Sequence, residues 1–284
     1  MSEQASFFRA QRMRIIIYGG LLVMGFFFFK DFARNNTYPI PDWSVPSPPP
    51  DPLREVVLTG AQGRITAWLM ESDKAADHAP IVVFFHGNAE NIASLYASGF
   101  YHKLTNGGFH ILAVDFPGYG SSEGEPNEAG LVESGVLGLR WALANYPDRP
   151  VVVSGWSLGA AVAIQTVAQE PGAAAIVLIS PWASLAEVGR AHYPAFLVRM
   201  ILREEYDSLA AAARIKVPSL VLHGTKDELI PFEQGGWVAE ALPHVIWAPV
   251  EDYGHNDVVN APMLWVELYR FLREDVPALP GSEP

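Results

Sequence analysis

Cysteine is absent from the 284 residues. That rules out disulfides, a thiolate nucleophile, and zinc or iron–sulfur sites held by cysteine. It leaves the compartment open, because disulfide-free proteins occur on both sides of a membrane. Charge is also scarce, at 18% of residues against a usual quarter. Positive charge is the scarcer sign, with 19 Lys and Arg against 31 Asp and Glu. The resulting net charge of −12 argues against a nucleic-acid surface and against general adhesion to anionic lipid. No spacing of metal ligands occurs, so neither a metal nor a cofactor is expected. Internal repeats are lacking. Apolar residues are plentiful, at half the chain, and the length suits one large domain or two small ones.

The N-terminus stands apart. Arg9, Arg12 and Arg14 precede a weakly polar-to-apolar run from Ile15 to Phe29 that stops at Lys30. As a helix the run is about 22 Å long, short of a hydrocarbon core of roughly 30 Å. Snorkelling by Arg14 and Lys30, with extension through Phe32 and Ala33, makes it long enough to span. A cleavable signal peptide needs a small-x-small site soon after the run, and none is there. The expectation is an uncleaved anchor over residues 15–33 behind a basic segment, 1–14. The basic cluster places the N-terminus in the cytoplasm and the body of the chain on the outer side. Residues 34–52 carry seven prolines between Pro39 and Pro52 and read as a semi-rigid spacer holding that body off the membrane.

From Leu53 to about residue 276, apolar runs alternate with helical patterns. Arg54–Leu58 and Arg64–Met70 read as a hairpin about Gly60 and Gly63. Strands are predicted at Ile81–Phe85, His110–Val114, Val151–Ser154, Ile176–Ile179, Ser219–Leu222 and Val245–Trp247. Helices are predicted at Asn91–Lys103, Glu128–Asn145, from the residue after Ser157 to about Gln169, and at Pro262–Arg273. Continuous apolar strands between helices mean an α/β domain with a mostly parallel sheet covered on both faces. Residues 277–284 form a tail. An insertion over about 181–216 carries Phe196, Leu197, Met200 and Ile201 at helical spacing. It is either a crossover helix packed on the sheet or a small cap roofing a site. In the second reading Tyr193, Phe196 and Met200 line an apolar pocket.

Chemistry concentrates at Gly155-Trp156-Ser157-Leu158-Gly159, which lies between the apolar run Val151–Val153 and the small, helix-forming run Ala160–Ile164. A serine at the tip of such a strand–turn–helix is strained and accessible, and flanking glycines keep side chains out of the turn. A serine hydroxyl needs a base to take its proton, and that base needs a carboxylate to fix its tautomer. Parallel sheets gather such groups past the carboxyl ends of their strands. Asp227 and His255 occupy those positions, in the order expected after Ser157. Glu228 is the alternative acid. Asp257 is too near the histidine in sequence to reach the correct ring nitrogen. Attack on a carbonyl also needs N–H donors for an oxyanion. Leu158, following the nucleophile, supplies one, and the loop His86-Gly87-Asn88-Ala89 supplies the second through Asn88, or Ala89 if the turn is offset by one. His86 and His223 read as loop-shaping residues, Asp115 as a turn residue, and Ser154 as a packed strand end.

Four blocks together resemble the α/β-hydrolase superfamily of serine hydrolases: His86–Ala89, Asp115–Ser122, Gly155–Gly159, and His223-Gly224 with Asp227 followed by Gly254-His255. The chain is similar, more narrowly, to membrane-anchored abhydrolase-domain proteins with an HGNA loop and a short cap holding Ser180-Pro181 and His192-Tyr193-Pro194. The resemblance implies an α/β-hydrolase fold and esterase- or thioesterase-like cleavage of a small or acylated substrate, without a cofactor. It implies neither a particular substrate nor an oligomeric state. Two rivals remain open: a serine peptidase of the same fold, and a catalytically inactive binding module.

Overall fold

A computed structural model describes residues 37–202 and 204–279. The expected anchor lies outside the described residues. Among those described, no helix is long and apolar enough to cross a membrane.

Eight strands form one sheet in the order β1-β2-β4-β3-β5-β6-β7-β8. They are β1 (Arg54–Gly60), β2 (Gly63–Met70), β3 (Ile81–Phe85), β4 (His110–Val114), β5 (Val151–Trp156), β6 (Ala175–Ile179), β7 (Ser219–Gly224) and β8 (Val245–Val250). The hairpin β1–β2 is antiparallel, with Gly60 opposite Gly63, and β2 joins β4 antiparallel. The six strands from β4 to β8 run parallel. Their apolar continuity has a direct cause, since alternate residues face different layers. Val83, Phe85, Val151 and Val153 belong to one core, and Val82, Phe84 and Val152 to the other.

Helices cover both faces. On the first core lie α3 (Glu128–Asn145), α4 (Leu158–Gln169), α7 (Ser208–Ala212) and α8 (Phe232–Ala241); on the second lie α1 (Ile92–Ala97), α2 (Phe100–Asn106) and α9 (Pro262–Glu274). The single helix expected over Asn91–Lys103 is two helices. Gly99 breaks it with φ of 81°, a left-handed conformation that glycine adopts without a Cβ penalty. The helix α8 was not expected, because its sequence holds two glycines and only a weak apolar stripe.

Strand order reverses at β3, where β4 lies on one side and β5 on the other. Such a switch point opens a crevice beyond the carboxyl ends of the strands. Here it sets Phe85 opposite Gly155, so the loop after β3 and the turn after β5 emerge side by side.

The insertion after β6 forms α5 (Leu185–His192) and α6 (Ala195–Ile201) ahead of α7. In α6 the buried side chain is Val198, while Phe196 and Met200, one turn apart, are exposed. Val198 packs closely against Gly189 of α5. A Cβ built there would lie 3.1 Å from Val198 Cγ1.

The proline-rich segment departs most from expectation. Residues 37–52 lie on the domain as a strap rather than standing off it as a spacer. Thr37 O accepts from Asn88 Nδ2 at 2.8 Å, and Trp43 O accepts from Asn91 Nδ2 at 2.8 Å. Tyr38 is buried, its hydroxyl 2.9 Å from that of Tyr206. Extended chain leaves its carbonyls free of internal partners, and side-chain amides of the domain take them up.

Candidate active site

Ser157 is held by three backbone bonds. Its N–H donates to Ile179 O at 2.9 Å, and its own carbonyl accepts from Ala160 and Ala161. This forces φ of 55° and ψ of −113°, a strained conformation for a residue with a side chain and one that costs about 1–3 kcal/mol. The glycines of the turn are sterically required. A Cβ on Gly155 would collide with the carbonyl of Gly159, and a Cβ on Gly159 with that of Phe85. The hydroxyl of Ser157 makes no hydrogen bond among the described residues, with His255 or with any other.

The acid and the histidine meet because two loops interlock. Thr225 N–H donates to Val250 O and Lys226 N–H to Tyr253 O, at 3.0 and 2.9 Å. A Cβ on Gly224 would strike the Tyr253 carbonyl, so only glycine permits this approach. Asp257 Oδ1 accepts from Gly254 N–H at 2.7 Å, which shapes the histidine loop. His255 Nδ1 then lies 2.7 Å from Asp227 Oδ2, and the Trp156 ring lies 6.2 Å from the His255 ring, tilted by 33°. Asp227, not Glu228, therefore pairs with the histidine; Glu228 is exposed.

Asp227 is fully engaged. Its Oδ1 accepts from Leu229 and Ile230 N–H at 3.0 and 2.7 Å, and its Oδ2 also faces His223 Nε2 at 3.2 Å. Burial alone would raise its pKa. The hydrogen bonds from His223 and His255, the charge of His255 and the Ile230 N–H outweigh burial and hold the carboxyl well below the usual carboxylate range. An ionised Asp227 needs a donor at His255 Nδ1, which leaves Nε2 of that ring with a free lone pair.

His223 is the site residue that sequence reasoning undervalued. Its Nε2 also lies 3.1 Å from Ile230 O, which can only accept, so Nε2 carries the proton. Its Nδ1 is buried without a partner among the described residues. The signal was present in the four-residue spacing from His223 to Asp227, since a strand end followed by a tight turn folds that spacing back on itself.

Asn88 and Leu158 both carry backbone N–H groups with no acceptor among the described residues. Ala89, the fallback, has its N–H facing Asn88 Oδ1 at 3.3 Å and sits at φ of 58°. The Asn88 side chain is tied twice, since it donates to Thr37 O and its Oδ1 accepts from Tyr119 OH at 2.8 Å. His86 donates through Nδ1 to Gly87 O at 2.8 Å, and Asp115 Oδ1 accepts from Ile92 N–H at 2.9 Å. These contacts give the expected loop-shaping and turn roles a physical basis.

Tyr193, Phe196 and Met200 do not line a buried pocket. They are 66%, 70% and 62% exposed, on the outward side of α5 and α6.

Glu90 closes the loop after β3 by accepting from Gly87 N–H at 3.1 Å. Burial raises its carboxyl above the ordinary value, against the opposing pull of His86, the Gly87 N–H and His255. A raised carboxyl adds stability below its unfolded pKa and loses it as pH climbs through the folded value. Glu90→Gln, which keeps an acceptor for Gly87, is therefore expected to have a higher thermal midpoint than the native chain at pH 7–8. The gap should close near pH 4, and paired melts across that range check it.

Comparisons with known proteins bear on the family and the fold. A family described as serine aminopeptidase, S33, matches residues 76–206. An uncharacterised protein of Mycobacterium tuberculosis is 33% identical over 228 residues, covering 78% of this chain and 79% of the relative. The chain belongs to the α/β-hydrolase superfamily. Its serine at the elbow places it among the superfamily's serine hydrolases. Human ABHD12B is 30% identical over 240 residues, 75% of this chain and 65% of that protein. The rat lysophosphatidylserine lipase ABHD12 is 28% identical over 192 residues, 62% of this chain and 48% of that one. Esterase Pf2001 of Pyrococcus furiosus shares the hydrolase fold with a TM-score of 0.64, at 23% identity over 79% of this chain and 93% of its own.

Proposed function

We propose that this α/β-hydrolase is a membrane-tethered enzyme that cleaves acyl esters, with thioesters as a related substrate, through Ser157, His255 and Asp227. The observation that carries the reading is the 2.7 Å contact between His255 Nδ1 and a buried, ionised Asp227, taken with a strained serine whose hydroxyl is unengaged and whose neighbour Trp156 has its ring 6.2 Å from that of His255. His255 Nε2 takes the Ser157 proton as Oγ bonds to the substrate carbonyl carbon. The carbonyl oxygen becomes an oxyanion and accepts from Asn88 and Leu158 N–H, each worth roughly 3–4 kcal/mol of barrier. Collapse expels the alcohol or thiol, which takes the proton back from His255. Water, activated by the same imidazole, then releases the acid and restores Ser157. Asp227 keeps the imidazole in the tautomer both steps need.

The lipid-esterase name of the ABHD12 relatives favours acyl chains, and the apolar run Ile15–Phe29 favours the tether with the catalytic domain on the outer side. A fluorophosphonate probe tests the chemistry. The adduct is expected on Ser157 by peptide mass mapping, and a folded chain that stays unlabelled defeats the enzyme reading in favour of a binding module. The aminopeptidase description of the matched family favours a second reading, release of N-terminal amino acids. Amino-acid p-nitroanilides separate the two, with no turnover expected beside rapid turnover of p-nitrophenyl butyrate.

A further inference from the structure

The strap is pinned to the domain a few residues after the first apolar stretch of the sequence. Thr37 is pinned to Asn88 in the oxyanion loop, and Tyr38 to Tyr206 at the base of the cap. Seven residues separate Thr37 from Phe29, the end of the apolar run. Eight steps of fully extended chain reach about 28 Å at most. In sequence the apolar run therefore stops only a short tether's length before the point at which the strap is pinned.

The rim around the site is unusually apolar for solvent-exposed surface. Ile40 and Trp43 of the strap are 54% and 53% exposed, between the Tyr38 and Asn91 contacts. Tyr193, Phe196 and Met200 of the cap are exposed as well. His192 Nε2 bonds Leu229 O at 2.8 Å, and Leu229, itself exposed, donates its N–H to Asp227. Strap, cap and acid loop thus follow one another around the residues of the site, each showing large apolar side chains to solvent. Large apolar side chains exposed on neighbouring loops in this way mark a candidate interaction face.

We propose that this rim docks on a lipid bilayer, so that the active-site mouth faces the membrane surface and takes its acyl substrate from the leaflet. The inference rests on the tethered-hydrolase reading above and adds to it an orientation and a source of substrate. With the tether proposed above only seven residues before the pinned Thr37, a bilayer is the large apolar surface to which this chain would be held. Aromatic and long aliphatic side chains on a rim settle at the headgroup boundary. The net charge of −12 disfavours an anionic surface, which leaves a zwitterionic one as the surface to test.

The full chain in phosphatidylcholine vesicles tests the docking in two ways. Brominated phosphatidylcholine should quench tryptophan emission, and the quenched component should disappear in Trp43→Phe. Trp43→Glu/Phe196→Glu should hydrolyse a long-chain acyl ester embedded in those vesicles about tenfold more slowly, the effect of weakening interfacial binding by two anchors. Its hydrolysis of p-nitrophenyl butyrate in detergent should match the native chain. Vesicle association without Trp43 quenching overturns the docking, as does native-like turnover of the embedded ester by the double variant. Emission that responds to protein concentration and not to brominated lipid assigns the face to a second copy and also overturns it. Quenching with no hydrolysis of either ester instead leaves the docking standing and defeats the hydrolase reading.

Discussion

Ser157→Ala is expected to lower turnover of p-nitrophenyl butyrate by about 10⁶ while leaving the fold in place. The two halves of this expectation have separate causes. The Ser157 hydroxyl makes no hydrogen bond among the described residues, so its removal leaves no buried group unpaired and opens no network. The strained backbone persists, since Ile179, Ala160 and Ala161 hold the peptide groups and not the side chain. The thermal midpoint should therefore move by only a degree or two, as for a change away from any packing or hydrogen-bonding feature. The chemical loss is large because His255 then has no proton to take. A residual rate of about 10³–10⁴ over water should remain from the Asn88 and Leu158 donors. Adding His255→Ala should cost almost nothing further, since residues that act as one unit lose their effect together. Initial rates and melts of the single and double variants settle both points. An additive loss in the double variant would separate His255 from Ser157.

Asp227→Asn should lower turnover by about 10⁴ and, unlike the serine change, should also weaken the fold. The amide oxygen can keep both backbone donors, Leu229 and Ile230. The amide nitrogen then faces His255 and His223. The His223 Nε2 proton is committed by the Ile230 carbonyl, so donor meets donor in a buried site. Leaving such a group unsatisfied costs about 1–3 kcal/mol. His255 is also driven to the wrong tautomer, with Nδ1 accepting and Nε2 blocked by its proton. The native chain should owe acid stability to the same carboxylate. A depressed folded pKa contributes stability above the ordinary carboxylate value, and that contribution fades as pH falls below it. The stability gap between native chain and Asp227→Asn should therefore shrink from pH 6 toward pH 3. Urea melts at stepped pH read this directly, and an unchanged gap would remove the ionised carboxylate from the account. Glu228→Gln serves as the control. Its side chain is exposed, and its turnover should stay within twofold of native, as for a surface change.

Most of the parallel strands were readable from sequence because burial on both faces leaves them an unbroken apolar run, though the edge strand β8 is only half-buried. The elbow was readable for a similar local reason, since Gly155 and Gly159 are imposed by collisions within one short stretch and with the neighbouring strand end. His223 was misjudged as a shaping residue alone, because its link to Asp227 depends on how tightly one turn closes. The split at Gly99 and the helix α8 went unread, as neither stands out against its neighbours in hydrophobic period. The cap gave the right helix and the wrong inward face. Periodicity names a stripe, but which of its neighbours turns inward depends on contacts between helices, such as that of Val198 with Gly189.

Two kinds of information meet in this chain. Sequence alone determined which groups can react and in what order they arrive, because a nucleophile between glycines after an apolar strand is a matter of local sterics. It determined the layered sheet as well, through hydrophobic runs that have only one way to be covered. Tertiary structure decided that Asp227 rather than its neighbour meets His255, that the prolines lie across the domain, and that the rim is apolar. Those outcomes turn on loops meeting across the sheet and on backbone carbonyls such as those of Thr37 and Trp43. Every residue type has the same carbonyl, so no pattern of side chains can announce where it will bind.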